Sequence, residues 1–307
     1  MLICIGEILV DIFDDGKNRT TLPGGAPFNV ASNALLYTKE VSFVGAIGND
    51  DNGKLLLNEA NKKGFKDLYI KVLDDKYTSR AIVTLSNGER SFRFERSNGA
   101  DYQLSINDID INKINDDDIV HIGSLMLSTS IGRNFYHELI RKIRANSKAK
   151  ISFDINYRDD IFGGQDEAKK TFIDALKEAD ILKFSIEELE LLTSKKNILE
   201  SLEILLNDKQ IAVVTLGKDG SIFYHNHHLV KVDTYKIKPV DTTGAGDAFY
   251  SYFLASLINH PHFINDDDQI NYYLKRANVV GGLTTLKKGA INVAPKEEMI
   301  DEFIASK

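Results

Sequence analysis

Short apolar runs alternate with longer amphipathic stretches along most of the chain, and this alternation predicts the fold. The runs lack a helical stripe, which is typical of buried strands, whereas the longer stretches repeat apolar residues at helical spacing. Strands are predicted at 2–6, 42–48, 118–123, 150–156, 181–185 and 210–217, and helices at about 54–63, 130–146, 166–179, 197–207 and 268–286. Strands separated by helices indicate an α/β fold with a mostly parallel sheet and right-handed crossovers.

The pattern changes between residues 67 and 96. Two alternating runs flank Asn87 and Gly88, a dipeptide that is typical of tight β-hairpins. A hairpin inside a series of strands and helices predicts a small second layer that acts as a lid or an interface. Arg93 and Arg96 either reach a ligand beneath this layer or are solvated edge charges. The exposed edge strand could also pair with a second copy of the chain in a homodimer.

Composition and charge narrow the function classes. The chain has 307 residues, a net charge of −7 and 43% hydrophobic residues, which fits a folded domain without a broad basic surface. The single cysteine, Cys4, cannot form an internal disulfide, which fits a reducing compartment. No apolar stretch reaches the length of a membrane span, and no basic region precedes an apolar core at the N-terminus. We therefore expect a cytoplasmic protein that binds neither nucleic acid nor membranes.

The strongest candidate for chemistry is the stretch 241–247, which a long apolar run follows at once. Gly244 and Gly246 indicate a turn that leads into a helix, so the amides of Gly244, Ala245 and Gly246 would point outward as donors for an anion. Asp247 falls in the first turn, where the helix dipole favours its ionised form. Amides beside a carboxylate suit a phosphoryl group that meets a hydroxyl about to lose its proton. The alternative is an ordinary glycine turn with Asp247 as a capping acid.

A second glycine turn lies nearer the N-terminus. Gly24 and Gly25 permit close approach of the backbone, and Asn29 lies in the first turn of the helix that follows, off its apolar stripe. Together they form a compact set of donors for sugar hydroxyls. Asp11 follows the first strand, at the edge where ligands of parallel sheets gather. It either accepts hydrogen bonds from a polyol or is a solvated turn acid.

Further candidates follow later predicted strands. Arg158 comes after the strand at 150–156 and suits a phosphate clamp. Glu188 follows the next strand and either binds magnesium through water or caps a helix. The turn at 215–220 contains two glycines and could lie against a nucleotide. The three histidines within 225–228 have no acid or cysteine at ligand spacing, so we interpret them as part of a hairpin tip.

Two stretches, 24–31 and 241–247, resemble the two signature motifs of the ribokinase-like (PfkB) family of carbohydrate kinases. The resemblance extends over nearly the whole length. It implies one kinase domain over residues 1–307 with the three-layer αβα ribokinase-like fold, in which a mostly parallel central sheet lies between helices. It also implies a small β lid, formed mainly by about 12–24 and 67–100.

The resemblance implies roles for individual residues. Asp247 would be the catalytic base, and Gly244, Ala245 and Gly246 would form the anion hole. Combined with the assignments above, the predicted sites are as follows: substrate at Asp11, Gly24, Gly25, Asn29, Arg96 and Arg158; nucleotide at Ser185, Thr215, Gly217, Gly220, Gly246 and Asn278; Mg²⁺ at Glu188 through water; and a monovalent cation such as K⁺ at Asp241 and Thr243.

The implied function is ATP-dependent transfer of the γ-phosphate to a sugar hydroxyl. Asp154, Asn156 and Arg158, with Ser185 where many members have asparagine, are similar to the pattern of bacterial fructokinases. This indicates fructose as the substrate and fructose 6-phosphate as the product. The pattern is also similar to 2-keto-3-deoxygluconate kinases, for which Arg96 would pair with the sugar carboxylate. Outside the enzymes, the alternative is a regulator that binds sugar or nucleotide without catalysis.

Two departures from the family pattern lie near the predicted site. Tyr252 stands where the second motif usually has a small residue, which is expected to change packing behind the catalytic turn. Ile155 and Asp159 replace prolines that are common around Asn156 and Arg158, so that loop is expected to be less rigid.

Overall fold

The computed structural model describes residues 1–14, 19–86 and 89–307, so the predicted Asn87–Gly88 turn lies outside the described residues. The strands are β1 (Leu2–Ile5), β2 (Leu9–Asp14), β3 (Arg19–Gly24), β4 (Val41–Gly48), β5 (Leu68–Leu73), β6 (Arg80–Ser86), β7 (Glu89–Glu95), β8 (Ile119–Ile122), β9 (Lys150–Asp154), β10 (Ile181–Ser185), β11 (Ile211–Thr215), β12 (Ser221–His225) and β13 (His228–Val232). The helices are α1 (Ala26–Ala34), α2 (Asp51–Asn61), α3 (Ser130–Asn146), α4 (Gln165–Leu176), α5 (Ile186–Thr193), α6 (Ile198–Leu205), α7 (Ala245–Asn259), α8 (Asp267–Thr284) and α9 (Glu297–Ala305).

A nine-stranded sheet forms the centre of the molecule, in the order β13-β12-β11-β10-β9-β8-β1-β4-β5. From β11 to β5 all neighbours are parallel, whereas β12 and β13 form an antiparallel hairpin at one edge. The carboxyl ends of β9, β10 and β11 therefore lie side by side, where parallel sheets place their ligands.

The sheet separates two apolar cores, which gives the three layers predicted from the sequence. Leu2 and Cys4 of β1 belong to one core, with buried residues of α1, α2, α7, α8 and α9. Ile3 and Ile5 belong to the other, with buried residues of α3, α4, α5 and α6. Successive residues of a strand face opposite sides, so a continuous apolar run is what a sheet covered on both faces requires.

Helix α7 is the central helix on its side of the sheet. It is apolar around its circumference and buried from Ala248 to Leu257, as expected for a helix enclosed by neighbours. Tyr252 fits there because its hydroxyl accepts a hydrogen bond of 2.7 Å from Arg276 Nε, and its ring contacts that of Tyr37 with centroids 4.8 Å apart. The Arg276 guanidinium also forms ion pairs with two acids of α9. Tyr252, the residue that departs from the family pattern, therefore links α7 to α8 and α9 through Arg276.

A second sheet of four strands, in the order β3-β2-β6-β7, lies apart from the central one. Among the described residues of the predicted 67–100 segment, only β6 and β7 belong to this sheet. The strand before them, β5, pairs parallel with β4 and forms the edge of the central sheet. Leu68 and Ile70 pack against the same core as β4, and their burial holds β5 there. The predicted hairpin is present as antiparallel β6 and β7, and the sheet also includes β2 from Leu9 onward.

Within the described ranges, no helix is both long and apolar enough to cross a membrane. The same part of the chain contains no group of three or more metal-ligating side chains at bonding geometry.

Candidate active site

Two cavities meet at the carboxyl edge of the central sheet. The first has a volume of about 760 Å³ and the second about 590 Å³. Thr215, Thr242 and Gly246 line both of them. The first contains predicted substrate residues at Asp11, Gly25, Asn29 and Arg158, together with Asp247, Ser185, Glu188, Thr243 and Gly244. The second contains the predicted nucleotide residues Gly217, Gly220 and Asn278, together with Ala245.

The start of α7 lies at the junction of the two cavities. Gly244 caps the helix with φ of 74°, a left-handed conformation that glycine adopts without a Cβ penalty. The amides of Gly246 and Asp247 have no backbone acceptor within the described ranges, whereas the Ala245 amide donates to the Thr242 carbonyl at 3.3 Å. Free amides at a helix start attract anions, so this point suits a phosphoryl group.

Asp247 lies in the first cavity and is held by Asn29. Asn29 Nδ2 donates to Asp247 Oδ2 at 2.7 Å. Burial raises the pKa of Asp247, and this hydrogen bond opposes the rise. The carboxyl is therefore a stronger base than an aspartate in water once it has lost its proton. Gly25 starts the helix that carries Asn29 with φ of 104°, and a Cβ there would lie 2.4 Å from the Glu7 carbonyl oxygen.

Asp11 and Arg158 are two further charged residues that line the first cavity. A Cβ on Gly24 would lie 2.4 Å from Asp11 Oδ2, so Gly24 makes room for this carboxyl without lining the cavity. Burial, followed by the negative charge of Asp247, raises the pKa of Asp11 to about 7. Arg158 Nη1 donates to the Tyr157 carbonyl at 2.8 Å, and its guanidinium forms no ion pair with any described residue. A free cation is thus available to an anionic group.

Arg96 lies away from both cavities. Its Nε and Nη2 donate to Asp101 Oδ2 at 3.0 and 2.6 Å, and its Nη1 donates to Ser128 Oγ at 2.8 Å. The side chain is 7% exposed. The structure therefore does not bring Arg96 to the predicted ligand, because a buried guanidinium requires a paired carboxylate and Asp101 supplies it.

Glu188 caps helix α5, which is one of the two roles that the sequence predicts for it. Glu188 Oε2 accepts from the Ser185 amide at 2.7 Å, and Ser185 Oγ accepts from the Glu188 amide at 3.2 Å. Glu188 Oε1 accepts from the Tyr157 amide at 2.9 Å. Each carboxyl oxygen keeps a second lone pair, which is available to a water molecule bound to a metal.

The predicted cation residues lie beneath the glycine turn. Asp241 is buried, and its two carboxyl oxygens accept from the Thr243 amide at 2.9 Å and the Gly289 amide at 3.1 Å. Thr243 Oγ1 is buried without a hydrogen-bond partner among the described residues. An unpaired buried hydroxyl is uncommon, and its oxygen suits a cation.

Three buried ionisable residues at this edge have no site role in the sequence prediction, although Asp154 belongs to the fructokinase-like pattern. Lys183 and Asp154 form an ion pair inside the sheet. Glu7 follows β1, is fully buried, and has no hydrogen-bond partner for either carboxyl oxygen among the described residues. Burial raises the pKa of Glu7 to about 8, so the carboxyl is neutral in the folded protein at neutral pH.

Replacing Glu7 with glutamine should remove a pH-dependent loss of stability. The unfolded chain releases the Glu7 proton near its ordinary pKa of 4.5, whereas the folded protein holds it to about 8. The stability of the native protein relative to Glu7→Gln should therefore fall as pH rises from about 4.5 to 8, by a few kcal/mol, at about 1.4 kcal/mol per pKa unit. Denaturant unfolding of both proteins at several pH values measures this difference. A difference that does not change with pH would contradict a neutral Glu7.

Comparisons with known proteins agree with the geometry. Residues 1–297 match the model of the pfkB family carbohydrate kinases. A probable fructokinase-3 from Arabidopsis thaliana is 31% identical over 308 residues, which cover 97% of this chain and 89% of the relative. A fold of parallel strands with two cavities that meet at a helix start is an arrangement suited to group transfer. The chain belongs to the pfkB family of carbohydrate kinases, and it is therefore a phosphotransferase with an alcohol group as acceptor.

Solved structures give the same result. A fructokinase from Vibrio cholerae O395, bound to fructose, ADP and a calcium ion, has a TM-score of 0.88 and 30% identity, and the match covers 98% of each chain. A fructokinase from Xylella fastidiosa with bound ATP also has a TM-score of 0.88, with 26% identity over 99% of this chain and 98% of the other.

Proposed function

We propose that this kinase transfers the γ-phosphate of ATP to fructose and forms fructose 6-phosphate. The observation that carries the proposal is the junction of the two cavities, where Thr215, Thr242 and Gly246 belong to both. A sugar in the first cavity and a nucleotide in the second would face each other across the start of α7. The fructokinases among its relatives support fructose over other sugars.

The first cavity supplies groups that suit a sugar. Asp11 and Asn29 offer carboxyl and amide groups to hydroxyls, and Gly25 allows the backbone to approach the ligand. Asn29 Oδ1 is buried without a partner among the described residues, so a sugar hydroxyl would satisfy an acceptor that otherwise costs free energy. Arg158 supplies a positive charge beside the transferred phosphate.

The second cavity is assigned to the nucleotide. Thr215, Gly217 and Gly220 line one wall, and a Cβ on Gly217 would meet no atom within 4 Å, so that wall is open to a ligand. Asn278 forms part of the wall, and its Nδ2 donates to the Val232 carbonyl at 3.2 Å, which fixes the orientation of its amide. Ser185 lies in the first cavity near the junction and would contact the phosphates.

The reaction needs a base and a stabiliser of developing charge. The sugar hydroxyl attacks the γ-phosphorus, Asp247 takes the proton, and the bond to the leaving ADP oxygen breaks. Free amides at the start of α7 stabilise the charge on the phosphoryl oxygens, which is the largest single contribution in many such sites. Asn29 keeps Asp247 in the orientation that the hydroxyl requires.

Two cations are part of the proposal. Mg²⁺ neutralises charge on the nucleotide phosphates when bound, and Glu188 fits it through water, because both carboxyl oxygens already accept backbone hydrogen bonds. A monovalent cation such as K⁺ fits near Asp241 and Thr243, because Thr243 Oγ1 lacks a partner within the described part of the chain. Its positive charge would stabilise the glycine turn next to Asp241.

The second sheet is proposed as a lid over the sugar. Leu9, Ala81 and Phe94 of this sheet line the first cavity. The Phe94 amide donates to Asp160 Oδ2 at 2.9 Å, which links the sheet to the loop of Arg158. A lid that excludes water would prevent hydrolysis of ATP. The edge strands of the same sheet are the proposed contact of a homodimer.

A substrate panel tests the proposed activity. ADP release is measured with fructose, ribose, 2-keto-3-deoxygluconate, nucleosides and sugar phosphates as acceptors. We expect the highest kcat/KM with fructose and phosphate on the 6-hydroxyl of the product. Higher kcat/KM with ketodeoxygluconate would replace fructose as the substrate, although Arg96, the cation predicted for that carboxylate, is bound to Asp101. Binding without transfer to any acceptor would favour a regulator.

A further inference from the structure

Lys183 is a buried cation that faces the reaction space. It lies in β10, its side chain is 7% exposed, and it lines the first cavity. Its Nζ donates to both carboxyl oxygens of Asp154 at 2.8 Å. Asp154 is its partner in the neighbouring strand, because Lys183 and Asp154 are in register between β10 and β9. The sheet itself therefore fixes the position of the ammonium.

The ammonium lies beside the start of α7. A Cβ on Gly246 would be 3.4 Å from both Cε and Nζ of Lys183, and Gly246 is one of the residues that line both cavities. A side chain at position 246 would stand between the ammonium and the junction. The glycine thus leaves Lys183 open to the same space as the free amides of the helix.

The charges around Lys183 keep it protonated. Burial opposes the charge, but Asp154 first, and then Glu188 and Asp247, hold the pKa of Lys183 above its ordinary value. An ammonium has three N–H donors. Asp154 accepts from it at two oxygens, and no other described residue accepts from it. One donor is therefore available to a ligand.

A buried ion pair by itself is a costly way to stabilise a sheet, because desolvation often exceeds the Coulombic gain. The surrounding carboxylates also affect the binding of a phosphoryl group. Asp247, Glu188 and Asp154 are all negative when ionised, and a phosphoryl group that enters this space is repelled by each of them. A fixed cation beside Gly246 offsets that repulsion in the space that the transferred group enters.

We propose that Lys183 donates a hydrogen bond from its ammonium to the phosphoryl group during transfer, and that Asp154 is the positioning residue that holds it. This inference rests on the proposed kinase reaction. Lys183 keeps all its protons: the hydroxyl proton goes to Asp247, the bond to the acceptor oxygen forms, and the bond to the ADP oxygen breaks. Lys183 thus acts with the amides of α7 as one more donor.

The test compares Lys183→Arg with the double variant Lys183→Met/Asp154→Asn. The double variant removes both charges, so neither partner of the pair is left as an unpaired buried charge, and it is the variant most suited to fold. We expect its kcat to fall about 10²–10³-fold, the usual loss for one such donor, while KM for the sugar and the Kd for ADP change less than about threefold. Lys183→Arg should recover part of kcat. Binding of ADP with aluminium fluoride and sugar, a mimic of the phosphoryl group in transfer, should weaken about 100-fold in the double variant.

The matched control removes an ion pair far from both cavities. Lys71 Nζ lies 2.8 Å from Asp108 Oδ2, and Lys71→Met/Asp108→Asn should lower the melting temperature without changing kcat. A normal kcat in the Lys183 double variant would show that the ion pair only stabilises the fold. Equal loss of affinity for ADP and for the aluminium fluoride complex would show the same. If the native protein transfers phosphate to no sugar, the proposed function fails and the role of Lys183 fails with it, whereas native transfer with normal kcat in the double variant overturns the role of Lys183 alone.

Discussion

Asp247→Asn is expected to lower kcat for sugar phosphorylation by about 10³-fold, within the range that a positioned base contributes. The substitution keeps the size of the side chain and its contact with Asn29 but removes the group that takes the hydroxyl proton. The Kd for ADP should stay within about threefold, because the amides at the start of α7 do not depend on the carboxylate. Steady-state kinetics and calorimetric titration with ADP measure the two effects.

The pH dependence gives an independent check on the same carboxyl. Burial raises the pKa of Asp247, so kcat of the native protein should rise with pH over a range above that of an ordinary aspartate, as the base loses its proton. Asp11→Asn is the matched comparison, because Asp11 lines the same cavity and is assigned to binding the sugar rather than to taking the proton. It should raise KM for the sugar more than it lowers kcat. An Asp247→Asn protein with a tenth or more of native kcat would remove Asp247 as the base.

The fold was largely predictable because its signals are local. A helix predicted at 130–146 is observed at Ser130–Asn146, and the strand predicted at 181–185 is observed at Ile181–Ser185. Apolar periodicity and buried runs set these elements residue by residue. The start of the 67–100 segment belongs to the central sheet, because β5 pairs with β4, and periodicity cannot show such a pairing.

The site was predictable where a backbone conformation requires glycine. Gly244 and Gly25 both adopt positive φ, and Asp247 and Asn29, in the first turns of the helices that follow, line the first cavity. Lys183 was missed because a single lysine in a buried run carries no pattern, and its partner is 29 residues earlier in the sequence. Arg96 had a visible signal, Asp101 five residues later, but only the structure shows that the two side chains meet.

Gly244→Ala is expected to lower kcat by about 10²-fold or more, since an error of about 1 Å in the placement of catalytic groups has an effect of this size. Gly244 has φ of 74°, and a Cβ there would lie 2.4 Å from the Cβ and 2.7 Å from the Cα of Ala290. The turn has to move, and it carries the Gly246 amide and the Asp247 carboxyl with it. Kinetics and thermal unfolding of the variant measure the two consequences separately.

Gly64→Ala separates backbone strain from the displacement of the turn. Gly64 has φ of 80°, and a Cβ there would meet nothing within 4 Å. Both substitutions force alanine into the left-handed region, which costs about 1–2 kcal/mol, but only Gly244→Ala also collides with Ala290. Gly64→Ala should therefore lose stability and keep native kcat. If Gly244→Ala behaves the same way, the helix start tolerates displacement, and the amides of α7 are not what orients the phosphoryl group.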